Sequence, residues 1–364
     1  MVGGTETYLT RIAPAIKPLG VDVEICTLER TGPLVAAAEE AGIQVHGTKL
    51  GDWKGWRDSG VLLRTINEIR SIVTAGSFDI VHTHLFWADA LGVAGARLAG
   101  CRRVIVSRRA LHSWNHPRGP FFHGMEQGTN LFANELIANC HAVLKDAEEH
   151  EPLLPATRTV VYNGVDVRHY QEGQVRTEGP LRLVTVGALA PRKGQEYAIE
   201  AVARLIRSGF EATLELVGAG PDEVMLRTKA SEAGLGDRVI FAGEQRDPRP
   251  NLSRADIFVL PSRQEGFSNA LLEAMASALP AVATDVGGNA EALIDGKGGR
   301  IVPPEQPEAL ATAIADLASD RPALAEMGRL NRQRVVDTFS LEASARSLAD
   351  WYLHVPQKRV GQRH

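Results

Sequence analysis

At 364 residues, with 44% hydrophobic and 23% charged side chains, the chain has a folded protein's balance and length enough for two ordinary domains. A net charge of -4 gives no polyanion-binding surface, so nucleic acid is not an expected partner. Three scattered cysteines, Cys26, Cys101 and Cys140, exclude a disulfide framework or a cysteine metal site, and no run reaches the roughly 18 to 20 apolar residues of a membrane span. The N-terminus lacks the basic, apolar, small-residue order of a secretory leader. A cytoplasmic protein is therefore expected, with peripheral contact at the inner face of the membrane left open.

In chain order, the Gly3-Gly4 turn comes first and opens a helix over 6–16. A doubly wound domain ordinarily begins with a buried strand feeding such a turn, so the expectation is an incomplete N-terminus with the first strand missing. Strands are then predicted at 21–28, 43–48, 79–83, 103–107, 135–138 and 159–162, with a helical period over 61–74. Residues 166–180 (DVRHYQEGQVRTEGP) are polar and aperiodic, with two glycines and a proline, and read as a domain joint. Further strands follow at 181–186, 213–217, 239–241, 257–260, 281–284 and 299–302, with helices over 196–207 and 310–317. Strict alternation of strand and helix means parallel sheets flanked by helices. A dozen strands exceed one common sheet. The expected fold class is α/β, with two Rossmann-like doubly wound domains facing a cleft, at 1–166 and 181–340, joined by 167–180.

Several strand ends carry chemistry. In 260–276 (LPSRQEGFSNALLEAMA) a strand gives way to a loop, and a helix is predicted to start near Phe267 or Ser268, with Ser268 as its cap. Free amides at such a start, around Gly266, Phe267 and Ser268, suit a diphosphate. Glu265 and Glu273, eight positions apart, would share a face if the helix began early. Two acids facing a cleft suit polyol hydroxyls, Glu265 on the transferred sugar and Glu273 on the ribose. On spacing alone, a loop cap at Glu265 and a solvated helix acid at Glu273 are the more ordinary account. Arg192 and Lys193 follow a strand where donor phosphates would sit and can stabilise a departing diphosphate; a solvated basic loop is the plainer alternative. Gly3 and Gly4 allow close backbone approach from the other domain, or simply open a helix. In 79–84 (DIVHTH), His82 and His84 share one strand face and Thr83 points the other way. An Asp-x-Asp motif is absent, so the diphosphate is expected to be held by cations and helix dipoles, with no metal and no cofactor. Glu223 also breaks a dinucleotide fingerprint after Gly218-Ala219-Gly220.

The segment EGFSNALLEAMA resembles the Glu-x7-Glu signature of glycosyltransferase family 4 and its GT-B relatives. VGALAPRKG (186–194), LVGAGP (216–221), YNGVD (162–166), AVATDVGGNAE (281–291) and GGTE (3–6) are similar to further segments of that family, in its order and over nearly the whole chain. The resemblance implies the GT-B fold and a retaining, metal-independent transfer from a UDP- or GDP-sugar to a glycan, lipid-linked or small-molecule acceptor. It also implies that the terminal amphipathic stretch within 341–364 crosses back to the first domain. Glu265 and His84 are then the catalytic pair. Gly3, Gly4, Arg192, Lys193, Gly266, Phe267, Ser268 and Glu273 bind the donor. The family commonly carries a cleft histidine at the end of the strand after DIVHTH, where this chain has Arg109, with His112 a little later. Arg109 and His112 are therefore candidate contacts to acceptor or sugar, although an arginine is no general base near neutral pH. Retention is expected on one face, the leaving phosphate helping to deprotonate the acceptor. The departures keep two alternatives in view, an inactive nucleotide-sugar-binding relative and a phosphorylase or epimerase. Trp53, Trp56, Trp87 and Trp114, with Phe121 and Phe122, are candidates for an acceptor wall or for ordinary packing.

Overall fold

The computed structural model describes residues 3–52, 59–112, 119–173, 176 and 178–354. The first domain runs α1 (Gly4–Ile16), β1 (Glu24–Thr27), α2 (Pro33–Glu40), β2 (Gln44–Gly47), α3 (Ser59–Gly76), β3 (Ile80–His84), α4 (Phe86–Leu98), β4 (Arg103–Arg108), α5 (Pro120–Phe132), β5 (Glu135–Ala138), α6 (His141–His150) and β6 (Thr157–Val160). The second runs β7 (Leu181–Val186), α7 (Gln195–Arg207), β8 (Ala212–Val217), α8 (Glu223–Glu232), β9 (Val239–Gly243), α9 (Arg249–Arg254), β10 (Ile257–Leu260), α10 (Asn269–Ala276), β11 (Ala281–Thr284), α11 (Asn289–Ala292), β12 (Gly299–Val302), α12 (Pro307–Ala318) and α13 (Arg321–Thr338). A last helix, α14, spans Leu341–His354.

Every strand pair is parallel, and the sequences show why. β4, β5, β10 and β11 are buried along their whole length, the continuous runs of strands covered on both faces. Helix α7 places Ala198, Ile199, Val202 and Leu205 on one buried stripe and leaves Glu200, Arg204 and Arg207 outside it. The second sheet has the order β12-β11-β10-β7-β8-β9. Its strand order therefore reverses between β7 and β10, and a ligand crevice is expected beyond their carboxyl ends. In the first domain β3-β4-β5-β6 form one sheet, while among the described residues β1 and β2 pair only with each other. The first domain thus holds two parallel sheets where one continuous sheet was expected.

The chain passes between the domains twice. After β6, Val165 exchanges backbone hydrogen bonds with the segment between α13 and α14, through Val165 N to Phe339 O (3.0 Å) and Leu341 N to Val165 O (2.9 Å). Helix α14 then packs Leu341, Ala345 and Leu348 against Tyr8, Ile12 and Ile16 of α1 and against Ile105 and Ile137 of the first sheet. Its end is tied by Trp351 Nε1 donating to Glu135 Oε2 at 2.7 Å and by Arg103 donating to the Trp351 carbonyl at 2.8 Å. Among the described residues, no helix is long and apolar enough to cross a membrane.

Candidate functional site

The loops beyond β7 and β10 meet at the switch point. Gly194 closes the turn at Pro191–Lys193 with φ +62°, and a Cβ there would lie 2.2 Å from the Pro261 carbonyl oxygen. Only glycine fits this approach. The Arg192 carbonyl accepts from Arg263 N at 2.9 Å, which locks the two loops together. As a result Lys193 Nζ donates to Glu265 Oε1 at 2.6 Å, and Ser262 Oγ donates to the same oxygen at 2.7 Å. Glu265 is buried at 4% exposure, and the Lys193 ammonium and Ser262 hydroxyl supply the partners that a buried acid requires.

A third loop props this one. Gly288 N donates to the Gly266 carbonyl at 2.7 Å, and a Cβ on Gly287 would sit 2.2 Å from the Glu265 carbonyl. These contacts hold residues 265–267 extended, so α10 begins only at Asn269, with Ser268 Oγ accepting from Leu271 N at 3.4 Å. Ser268 is the helix cap, as expected, and the early start that would put Glu265 and Glu273 on one helical face does not occur. Glu265 belongs to the loop, and Glu273 alone rides the helix, where its Oε1 accepts from Arg11 Nη1 of α1 at 3.2 Å. Phe267 turns its ring into a cluster with Tyr162 (5.0 Å) and Phe339 (5.3 Å), and its carbonyl accepts from Asn163 Nδ2 at 3.3 Å.

The first domain meets these loops closely. A Cβ on Gly266 would lie 2.2 Å from the Arg109 carbonyl oxygen. The Arg109 guanidinium lies 4.0 Å over the Tyr8 ring and donates to Asn163 Oδ1 at 2.5 Å. Asn163 donates in turn to Asn269 Oδ1 at 2.7 Å, and Asn269 donates to the Gly4 carbonyl at 3.3 Å. Gly3 is the N-cap of α1, its carbonyl accepting from Thr7 N and Oγ1. A polar relay thus leaves α1 at Tyr8, crosses the interface to Asn269 of α10 and returns to α1 at Gly4. Glu291 makes a second crossing: it accepts from His141 N (2.9 Å) and Ala142 N (2.7 Å) in the first turn of α6 and from Tyr162 Oη at 2.9 Å. A carboxylate at that end of a helix complements its dipole.

His84 and His82 do share a strand face, ring centroids 4.2 Å apart, and Thr83 points away to Asp89 Oδ1 at 2.6 Å. Both nitrogens of His82 are engaged, by Tyr352 Oη (2.5 Å) and Ser107 Oγ (2.7 Å). Burial, then His82 and Arg109, hold His84 well below the ordinary imidazole range. It is therefore a weak base, and its buried Nδ1 has no hydrogen-bond partner among the described residues. His112 is placed apart from this pair. Its backbone N–H donates to Asp146 Oδ2 at 2.5 Å, and its ring stacks at 5.0 Å on that of His150 in α6. Trp87 packs edge-on with Phe86 (5.5 Å) and Phe122 (6.2 Å) where α4 meets α5, while Phe121 is exposed. Trp53, Trp56 and Trp114 lie outside the described residues.

Asn163, Asn269, Ser262 and Glu291 were given no role by sequence reasoning, although each lies in or beside a quoted motif. Tyr8 and Arg11 carried no signal beyond their helix, since only the folded interface brings them to the cleft.

Residues 2–169 match the family described as Glycosyltransferase Family 4, and residues 180–320 match that described as Glycosyl transferases group 1. A glycogen synthase of Mycobacterium tuberculosis is 32% identical over 381 aligned positions, covering 97% of this chain and 91% of that one. A D-inositol 3-phosphate glycosyltransferase of Corynebacterium urealyticum is 28% identical over 392 positions, covering 97% and 91%. In fold, Anabaena HepE in complex with UDP-glucose superposes with a TM-score of 0.81 at 21% identity, covering 97% of this chain and 96% of that one. With both halves matched and a near full-length relative above 30% identity, the chain belongs to glycosyltransferase family 4 and is a glycosyltransferase of the two-domain GT-B kind.

Proposed function

We propose that the chain transfers a sugar, with retained anomeric configuration, from a UDP- or GDP-sugar to a glycan, lipid-linked or small-molecule acceptor, and holds the donor diphosphate without a metal. The observation that carries this reading is the Lys193–Glu265 pair at the switch point of the second sheet, with Arg192 beside it. In this reading Lys193 and Arg192 take up the charge of the departing nucleoside diphosphate, aided by the backbone amides of 266–268. Glu265 accepts from hydroxyls of the transferred sugar, and Glu273 from the ribose. The acceptor enters from the first domain, beside His84 and Arg109. Its oxygen bonds to the anomeric carbon as the carbon–oxygen bond to the diphosphate breaks. The proton passes to a phosphate oxygen on the same face, so positioning and leaving-group stabilisation provide most of the acceleration. Relatives named as a glycogen synthase and a mannosyltransferase of lipopolysaccharide core biosynthesis support a glycan acceptor.

The test is a panel of UDP- and GDP-sugars offered to the purified protein, read by thermal stabilisation, nucleotide release and the anomer formed. One nucleotide should stabilise the fold, and its sugar should be transferred with retention in the presence of chelator. No stabilisation by any nucleotide would sink the donor assignment. Turnover that vanishes with chelator and returns with magnesium would sink the metal-free assignment.

A further inference from the structure

Beneath the turn that follows β4, and apart from the donor loops, three potential metal ligands converge: His112, Glu126 of α5 and Glu151, just past α6. One ligand atom from each lies within 4.8 Å of the others. Glu126 and Glu151 are buried, at 8% and 3% exposure. We propose that His112, Glu126 and Glu151 form a binding site for one borderline divalent transition-metal ion of the zinc type.

The surroundings are built for it. Glu151 is fixed by Arg108, through Nε at 2.9 Å and Nη2 at 2.8 Å, and by Asn130 Nδ2 at 2.7 Å. His112 is fixed at its backbone by Asp146 and at its ring by His150. Such outer partners orient ligands before the ion arrives. Glu126 lies 3.8 Å from Arg108 Nη2, and Arg108 also reaches Asp89 Oδ2 at 3.0 Å. Among the described residues, this one guanidinium therefore faces three buried carboxylates. His123, three residues before Glu126 on α5, brings a further imidazole whose centroid is 6.3 Å from that of His112. In a tetrahedral zinc site the ligand atoms stand about 3.3 Å apart, so His112 and Glu126 would close on the ion against the fixed Glu151. Imidazole with carboxylates suits zinc and its neighbours, whereas magnesium and calcium prefer oxygen alone. The ion would tie the loop bearing Arg109 to α5 and α6, and so set where the Arg109 carbonyl meets Gly266. This inference does not depend on which sugar is moved.

Isothermal titration of chelator-stripped full-length protein with Zn²⁺, and separately with Mg²⁺, tests it. One Zn²⁺ per chain should bind, and Mg²⁺ should not saturate. His112→Gln and Glu126→Gln should each weaken Zn²⁺ by about tenfold or more while keeping the metal-free melting transition. Absent stoichiometric uptake, or uptake unchanged in both variants, overturns the site; equal affinity for Mg²⁺ overturns its class. If a substitution prevents folding, Co²⁺ binding to the wild type decides. A saturable visible band displaced by Zn²⁺ supports the site, and its absence overturns it.

Discussion

Lys193 and Glu265, 72 positions apart in the chain, are joined by a 2.6 Å hydrogen bond between Nζ and Oε1. Each comes from a different loop, and both loops issue from the two strands between which the sheet order reverses. In the proposed reading the pair divides its tasks when a donor arrives, the cation for phosphate and the acid for sugar.

That division gives different signatures to the two side chains. Lys193→Ala should raise the donor KM by about tenfold or more, since it removes a fixed cation from the diphosphate. Glu265→Gln should lower kcat by about a hundredfold with a smaller change in KM. Steady-state kinetics at varied donor concentration separates them. Wild-type values for both would reject the site.

Glu273 has a test that isolates its ribose role from its ion pair. Arg11 is 40% exposed at the side chain, so its bond to Glu273 contributes at most about 1 kcal/mol. Arg11→Ala should therefore alter donor KM only a few-fold, while Glu273→Ala should alter it by about tenfold or more. Equal effects would reduce Glu273 to an interdomain contact.

Gly194→Ala tests the loop geometry without touching a charged group. The new methyl would meet the Pro261 carbonyl at 2.2 Å, on a backbone at φ +62°. A loss of about 1–3 kcal/mol in urea unfolding is expected, with weakened donor binding, because the loop bearing Lys193 must shift. Unchanged stability and donor affinity would show that the loops are not locked as described.

Acid should destabilise the first domain through His82. Burial, with Arg109 and Arg103, pushes its imidazole down to about 3 from an ordinary 6.5. Below pH 6.5 the unfolded chain binds a proton that the folded chain refuses, so stability falls as pH drops from 6.5 towards 3. One such proton contributes a slope of up to about 1.4 kcal/mol per pH unit. His82→Gln should flatten that part of the profile relative to wild type, with little difference above pH 7. Parallel profiles would contradict the assignment.

Much of the fold was legible because its signals are local. Strands such as Leu181–Val186 and Ile257–Leu260 announce themselves as β-branched runs, and helix Leu341–His354 by its apolar period. The motif residues Arg192, Lys193 and Glu265 were legible for the same reason, each lying just beyond a strand. What could not be read is what depends on packing at a distance. Ser268 was legible as the cap of α10, but the pressing of Gly287 and Gly288 on residues 265–266 from another loop was not. The bond from the His112 backbone to Asp146 and the stacking of its ring on His150 have no signal in the sequence. The separation of β1 and β2 from the β3–β6 sheet is likewise a matter of pairing, on which strand periodicity is silent.

The two passes of chain between the domains run side by side, hydrogen-bonded at Val165 with Phe339 and Leu341. A single connecting thread would leave one lobe free to swivel on the other. Two threads knit together act as a strap that folds along one axis and resists torsion. Any opening of the crevice is therefore expected to bend the two threads together rather than twist one about the other.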